Sequence, residues 1–552
     1  MKKRLETIII SAFDEAHKKG ALPSENRQLP LIEVPRQESH GDFSTNIAMV
    51  SASTQKMAPA KIAGIVIDHI TDSDNLIDKI EIAGPGFINF YLTADAWFSV
   101  LKKIHEQKEQ FGSCNIGRHE RVMVEFVSAN PTGPLHVGHG RGAAVGDSIA
   151  KILSFCGYDV KKEYYINDSG RQINTLGRSV YLRYCELFGK TDSYPEDCYQ
   201  GEYIKELAII EKNKKNSYLL DMRSEDAVST CAQTAAKKIL EGIRDDLEAF
   251  RVEFDNWFSE QSLYDTNKVQ ETFDWAHKNN LAYEKDGAIW FRTQQWGDEK
   301  DRVICRNNGQ NTYFASDIAY HKDKFERGFT RLIDVWGADH HGYIERMSAA
   351  IESLGKKRDQ FNVVLVQLVN LLRDGEPVAM STRAGEFVTL KEVINEVGAD
   401  ACRFIFLMRH HDSPLDFDLE VAKKQTNDNP VYYVQYVYAR IASIIKKAQA
   451  ESIDIENCDT LSALNTLDDL RLIKTMAEYP ETVRLSAERL EPHRIAYYLM
   501  NMASLFHNYY NKNRVLTEDI ALTCGRLYLV KAVQMIIKNG LTLLGVHAPE
   551  SM

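Results

Sequence analysis

Arg121-Val-Met-Val-Glu-Phe-Val127 is a short β-rich run. It breaks into Ser128-Ala-Asn-Pro-Thr-Gly-Pro134, and His136-Val-Gly-His139-Gly-Arg-Gly142 then opens a helical pattern. Ala143, Ala144, Ile149, Ile152 and Leu153 recur near the 3.6-residue period. A strand, a tight polar turn and a helix in that order start a parallel α/β domain. Working outward, further strands are expected at 288–291, 302–305, 331–336 and 362–366, with helical patterns between several of them. That alternation predicts a Rossmann-like parallel sheet covered by helices. The charged, mostly helical stretch from about 175 to 285 reads as an insertion into it.

The flanks differ. Leu5–His17 and Lys61–Ile70 read as helices, Lys79–Ala83 and Phe87–Leu92 as strands, and Gly84-Pro-Gly86 as a turn. After Asp428 only amphipathic helical patterns remain, at 431–447, 461–479, 492–511 and 523–544. The fold class is therefore α/β multidomain: an N-terminal α+β domain (1–112), the Rossmann-like sheet domain (113–415) and a C-terminal all-α helical bundle (416–552). A chain of 552 residues with 44% hydrophobic and 26% charged side chains supports domains of this size, and it excludes disordered and fibrous classes. No uncharged apolar run approaches the roughly 18 residues of a membrane span. Nor does a cleavage site follow the basic start, so a cytoplasmic protein is expected. None of the nine cysteines forms a C-x-x-C pair, which argues against a zinc ribbon or a disulfide framework.

Net charge is −11, a poor omen for a nucleic-acid binder. The acidity is central: −2 over residues 1–110, −9 over 111–430 and zero over 431–552. Composition shows no local basic face; only a nucleic-acid-binding reading calls for a positive strip on one face, with binding that weakens as salt rises.

His136 and His139 stand three apart at a helix N-terminus among Gly138, Gly140 and Gly142. Free backbone amides, the helix dipole and close backbone approach suit a phosphate. A structural histidine pair and a metal pair are the rival readings; no H-E-x-x-H pattern accompanies the second.

Residues 124–139, Val-Glu-Phe-Val-Ser-Ala-Asn-Pro-Thr-Gly-Pro-Leu-His-Val-Gly-His, resemble the HIGH region of class I aminoacyl-tRNA synthetases, and of the arginyl-tRNA synthetase family in particular. So do His40-Gly-Asp-Phe-Ser-Thr-Asn, Tyr313-Phe-Ala-Ser-Asp317, Gly337-Ala-Asp-His-His-Gly-Tyr343, Asn429-Pro-Val-Tyr-Tyr-Val-Gln-Tyr436 and Leu544-Gly-Val-His-Ala-Pro-Glu550. The anchors span nearly the whole chain.

The resemblance implies an arginine–tRNA ligase. It would form arginyl-adenylate from L-arginine and ATP with Mg2+, then pass arginine to the terminal adenosine of tRNA(Arg). The family default is a monomer; no membrane association and no protein-bound zinc or other metal are expected. His136 and His139 would stabilise charge building on the α-phosphate, chemistry that needs positioning more than a nucleophile. Gly138, Gly140, Gly337 and Asp339 would line the ATP site, with Asp339 accepting from a ribose hydroxyl. An always-charged, planar guanidinium calls for carboxylates. Asp317 lies four residues after Tyr313, on the same helical face. By family match Glu125, Asn130, Tyr313 and His340 join it around arginine. In the bland reading Asp317 is a solvated helix residue and Glu125 a strand-end charge.

The chain departs from the class at its Lys-Met-Ser-Lys-Ser loop. Met380 and Ser381 match, but Ala379 and Thr382 replace the two lysines. Arg383, or Arg141 beside the histidine turn, is the expected substitute cation. For tRNA, Phe87 and Asn89 are expected at the elbow, and Tyr436, Tyr510 and Met552 at the anticodon loop, where aromatic faces stack on splayed bases. Helix-core packing is the competing account of the tyrosines. Rival functions are a tRNA-binding protein without catalysis and another HIGH-type nucleotidyl transferase.

Overall fold

The structure is a computed structural model, and it describes residues 1–26, 28–190, 193–378, 388–453 and 461–552. The chain packs as two compact units. One contains Met1–Phe111, Arg440–Tyr479 and Ser504–Ile536; the other contains Gly112–Ala439, Pro480–Ala503 and Ile537–Met552.

In the first unit, helix Lys2–Lys18 buries Leu5, Ile9, Phe13 and Ala16, one stripe at helical spacing. A four-stranded antiparallel sheet runs in the order Ile32–Glu33, Phe43–Thr45, Phe87–Leu92, Ile77–Ala83. Gly86 closes its hairpin at φ 137°, where an added Cβ would lie 2.7 Å from the Pro59 Cβ. Later helices complete this unit. The His105 ring stacks on Tyr528 at 3.6 Å, and Lys474 pairs with Asp42.

The second unit is built on a five-stranded, all-parallel sheet. Its order is Phe361–Val366, Arg331–Gly337, Arg121–Glu125, Asp159–Ile166, Asn256–Ser259. Numbered along the chain this is 5-4-1-2-3, a doubly wound sheet. It reverses direction between Arg121–Glu125 and Arg331–Gly337, and ligands of such sheets lie beyond the carboxyl ends of the strands at that switch. Helix Val137–Phe155 packs against the first strand so closely that a Cβ on Gly146 would sit 2.3 Å from the Phe126 ring.

Two expectations are corrected. Strands Ala288–Phe291 and Arg302–Cys305 do not enter the parallel sheet. They form a separate antiparallel sheet with Ala282–Lys285. The cause is local: Asp286-Gly287 adopts φ 54° and 75°, a two-residue turn whose twist suits a hairpin. The 175–285 stretch, mostly helical as expected, does not simply interrupt the sheet: it also supplies one of its strands. Helices Arg171–Glu186, Glu202–Lys215 and Ser224–Ala249 are followed by Asn256–Ser259, the edge strand of the main sheet.

The C-terminal helices are Pro430–Ala450, Leu467–Arg489, His493–Lys512 and Ile520–Leu543. Among the described residues Ile520–Leu543 alone is long and apolar enough to cross a bilayer by length and composition. It carries Arg526, Lys531 and Lys538 and buries Leu527, Val530, Val533, Ile537 and Leu541, as a bundle-core helix does.

Candidate active site

The histidine turn is fixed by its own backbone. His136 caps helix Val137–Phe155: its Nδ1 accepts the Gly138 N–H at 3.1 Å, and the Nδ1 of His139 accepts the His136 N–H at 3.3 Å. The rings stack at 3.7 Å. With both Nδ1 lone pairs used, the ring protons reside on Nε2, so each imidazole offers an N–H donor without carrying charge. Burial drives His136 below the usual histidine range. Burial, and then the neighbouring His136, hold His139 down to about 3.

This has a stability consequence. In the unfolded chain His139 takes a proton near pH 6.5, while the folded chain refuses it until far lower pH. Its contribution is complete above pH 6.5 and is lost as pH falls toward 3. His139→Gln removes that loss. Its stability relative to the parent should therefore move in the variant's favour by about 2 kcal/mol between pH 7 and pH 5, at about 1.4 kcal/mol per pH unit. Denaturation at the two pH values measures this; an unchanged difference would show that His139 titrates normally.

The glycines divide. Gly138 has no close neighbour except the His136 ring, 3.0 Å from its Cβ position. A Cβ on Gly140 would meet Leu390 Cδ1 at 2.5 Å, so that position is stripped for packing. The Leu390 N–H also donates to the Leu135 carbonyl at 2.8 Å, and His136 bridges to Thr389. Met380, Ser381 and Arg383 lie outside the described residues. Arg141 is corrected as a free cation: it is fully buried and donates to the carbonyls of Gln367, Ser413 and His410.

The chain leaves the first strand through Val127 and Ser128 at φ 68° and 42°. A β-branched residue there is strained, a feature that clusters at functional turns. Asn130 donates to Gln172 Oε1 at 2.7 Å. At the neighbouring strand end Gly337 is exposed, and its missing Cβ leaves room for Asp339 Oδ1, 2.5 Å from that position. Asp339 and His340 are 82% and 61% exposed and lie 3.6 Å apart.

Helix Tyr313–Glu326 lies over the sheet. Tyr313, at its first turn, is exposed. Asp317 accepts a hydrogen bond from Tyr343 and is half-buried. One turn on, the same face meets a row of carboxylates. Glu163, Glu125 and Asp334 stand in register on three adjacent strands. Lys324, with no exposed surface, bridges Glu125 at 2.5 Å and Asp334 at 3.0 Å. Arg327 and Tyr320 hold Glu163, and His321 Nε2 reaches Asp334 at 2.9 Å. Burial alone would raise Asp334, but Lys324 and His321 outweigh it and hold it at about 2. Burial pushes Glu125 up against the pull of Lys324. Ser128 Oγ donates to the other oxygen of Glu125 at 2.9 Å. Both oxygens of Glu125 thus have partners inside the protein.

Glu260 is the residue that the sequence reading missed. It follows the edge strand and is 3% exposed. The Asn167 amide donates to it at 2.9 Å in the orientation that satisfies both ends of that amide. Burial raises Glu260, and the Asp317 charge raises it further. Burial likewise raises Asp317 despite its Tyr343 hydrogen bond. Tyr264 and Ser316, which share a 3.0 Å hydrogen bond, lie beside the two carboxylates. Neither Glu260 nor Asp317 has a lysine or arginine at ion-pair distance among the described residues. A detectable signal would have been Trp257-Phe-Ser-Glu260, a short strand ending in an acid.

A curated arginine–tRNA ligase of Desulfosudis oleivorans is 59% identical over 556 aligned residues, covering 100% of both chains. The chain belongs to the arginyl-tRNA synthetase family. The arginine–tRNA ligase of Syntrophotalea carbinolica is 52% identical over 100% of both chains. Models for the arginyl-tRNA synthetase N-terminal domain, the class I (R) synthetase catalytic domain and the DALR anticodon binding domain match residues 3–92, 100–413 and 434–552. The crystal structure titled putative arginyl-tRNA synthetase from Campylobacter jejuni superposes with TM-score 0.76 at 36% identity, over 84% of this chain and 100% of that one. The Thermus thermophilus arginyl-tRNA synthetase shares the fold, with TM-score 0.73 at 21% identity over 99% of this chain and 100% of that one.

Of the residues expected to meet tRNA, Phe87 is half-buried. Asn89 is 4% exposed and sits in strand register between Ser44 and Glu81. Tyr436 stacks on Tyr432 at 5.8 Å; Tyr510 stacks on Phe506 and lies under the Arg440 guanidinium. Met552 is 52% exposed.

Proposed function

We propose that the chain is an arginine–tRNA ligase: it activates L-arginine with ATP and transfers it to the terminal adenosine of tRNA. The observation that carries the reading is the Asp317–Glu260 pair. Glu260 is buried and Asp317 half-buried, the two repel each other, and neither has a lysine or arginine at ion-pair distance among the described residues, so they call for a ligand that brings a cation; a guanidinium presents five donors to two acceptors. In this reading Asp317 and Glu260 grip the side chain, with Tyr313 closing over it and Asn130 and His340 at its backbone end. Glu125 stands behind the pocket, set by Lys324.

ATP enters as substrate with Mg2+ at its phosphates, along Gly138, Gly337 and Asp339. Neutral His136 and His139 donate from Nε2 to the α-phosphate oxygens as charge builds there. Arg383, Met380 and Ser381 are assigned to the same ATP site from the sequence, with Arg383 as the cation that meets the triphosphate. Phe87 in 1–112, and Tyr436, Tyr510 and Met552 in 416–552, face tRNA(Arg), and 113–415 carries catalysis. We further assign a monomer working in the cytoplasm.

The test is aminoacylation by purified protein with ATP and unfractionated tRNA, offering each amino acid in turn. Arginine alone should be charged. Charging of another amino acid and none of arginine would overturn the assignment, and tRNA binding with no charging would favour a non-catalytic binder.

A further inference from the structure

In the second unit, side chains from two distant parts of the sequence converge beside the loop that holds Arg141. His410, Glu491 and His493 are half-buried, and each presents one ligand-type atom within 4.8 Å of the other two. His410 Nε2 lies 3.4 Å from Glu491 Oε1. That is long for a hydrogen bond, for which 2.7–3.2 Å is usual. It matches the edge of a tetrahedron with ligand bonds of about 2.0–2.1 Å, which is about 3.3 Å. The other ring nitrogen of His410 faces Asp412. A carboxylate behind a histidine fixes the tautomer and turns Nε2 forward, as metal-binding histidines require. Glu491 is steadied by Arg494, whose Nε donates to Oε2 at 2.5 Å, leaving Oε1 toward His410. His493 crosses the His410 ring at 4.8 Å, and its Nδ1 is buried with no hydrogen-bond partner among the described residues. Such an orphaned nitrogen is costly and needs a reason.

We infer that His410, Glu491 and His493 form a site for one divalent transition-metal ion of the zinc class, with Asp412 supporting His410 and water completing the tetrahedron. Two imidazoles and a carboxylate are a ligand set that such ions favour. The role is structural. The carbonyls of His410 and Ser413 hold Arg141, and His411 Nδ1 donates to Leu365 at the end of a sheet strand. An ion there ties the start of helix His493–Lys512 to the loop that anchors the histidine helix. The cysteine spacing argues against a zinc site built from thiolates. The ligands are instead two histidines and an acid, with His410 81 residues before Glu491, a spacing with no motif.

The experiment uses full-length protein without a histidine tag, freed of metal by chelation and dialysis. It is titrated with Co2+, followed by visible absorption, and then with Zn2+ in competition. One equivalent per chain with a tetrahedral cobalt spectrum is expected. Asp412→Asn should weaken binding by about 10–100-fold. His493→Gln and the near-isosteric Glu491→Gln should each abolish the spectrum, with circular dichroism confirming that the variants are folded. No binding by the parent overturns the inference. So does binding that survives both His493→Gln and Glu491→Gln, or that vanishes only when exposed Asp339, His340 and His341 are replaced.

Discussion

Asp317→Asn is expected to lower kcat/KM for arginine by about 10^2–10^4-fold. The substitution keeps shape and volume but removes the charge. Breaking a desolvated ion pair by neutralising one partner costs about 3–5 kcal/mol, because the remaining charge is stranded. Here the stranded charge belongs to the substrate, and Glu260 alone cannot meet both edges of a guanidinium. The raised Asp317 carboxyl adds a pH signature. Arginine must bind to the ionised form, so parent affinity should climb as pH rises through the raised value, and the variant should lose most of that slope. Arginine-dependent pyrophosphate exchange in the presence of tRNA measures both. A loss below about 10-fold would remove Asp317 from the pocket.

Lys324→Met should destabilise the folded chain by about 3–5 kcal/mol at pH 7 while leaving little cavity. Lys324 is the buried cation between Glu125 and Asp334, neighbours in register on adjacent strands. Burial alone would lower it, but Asp334, Glu125 and Glu163 keep it above the usual lysine range, so it enters the core charged. Methionine leaves two carboxylates facing each other. One then protonates, and its folded pKa rises further above the unfolded value. A folded state that binds the extra proton is favoured as pH falls, so the deficit relative to the parent should shrink between pH 7.5 and pH 5.5. Denaturation of both proteins across that window reads the difference. A deficit constant with pH would mean that the loss is one of packing.

The parts of the fold legible in the sequence are those where local chemistry and tertiary position agree. The 121–125 strand, its polar turn and the 137–155 helix are set by a β-branched run, prolines and glycines, and the structure keeps all three. Helix Tyr313–Glu326 is likewise visible, with Asp317 four residues past Tyr313. What escaped depends on distance. Ala288–Phe291 looks like any apolar strand, and only the left-handed Asp286-Gly287 turn diverts it into a hairpin. Asn256–Ser259 is four residues long, too short for periodicity, so Glu260 at its end was hidden. Nothing local to Glu125 announces that its carboxylate is held by a lysine 199 residues away. Arg141 looked like a spare cation because its three acceptors are backbone carbonyls more than 220 residues on.

The central claim is that buried Glu260 and half-buried Asp317 select a cationic side chain beside a turn that holds nucleotide. Its most direct test offers the enzyme citrulline, in which an uncharged ureido group replaces the guanidinium at nearly the same shape, in tRNA-dependent pyrophosphate exchange against arginine. The account predicts a kcat/KM for citrulline lower by about 10^3-fold or more, in line with the cost of leaving buried charges unpaired. Exchange with citrulline within about tenfold of arginine would mean that shape rather than charge is read, and would contradict it.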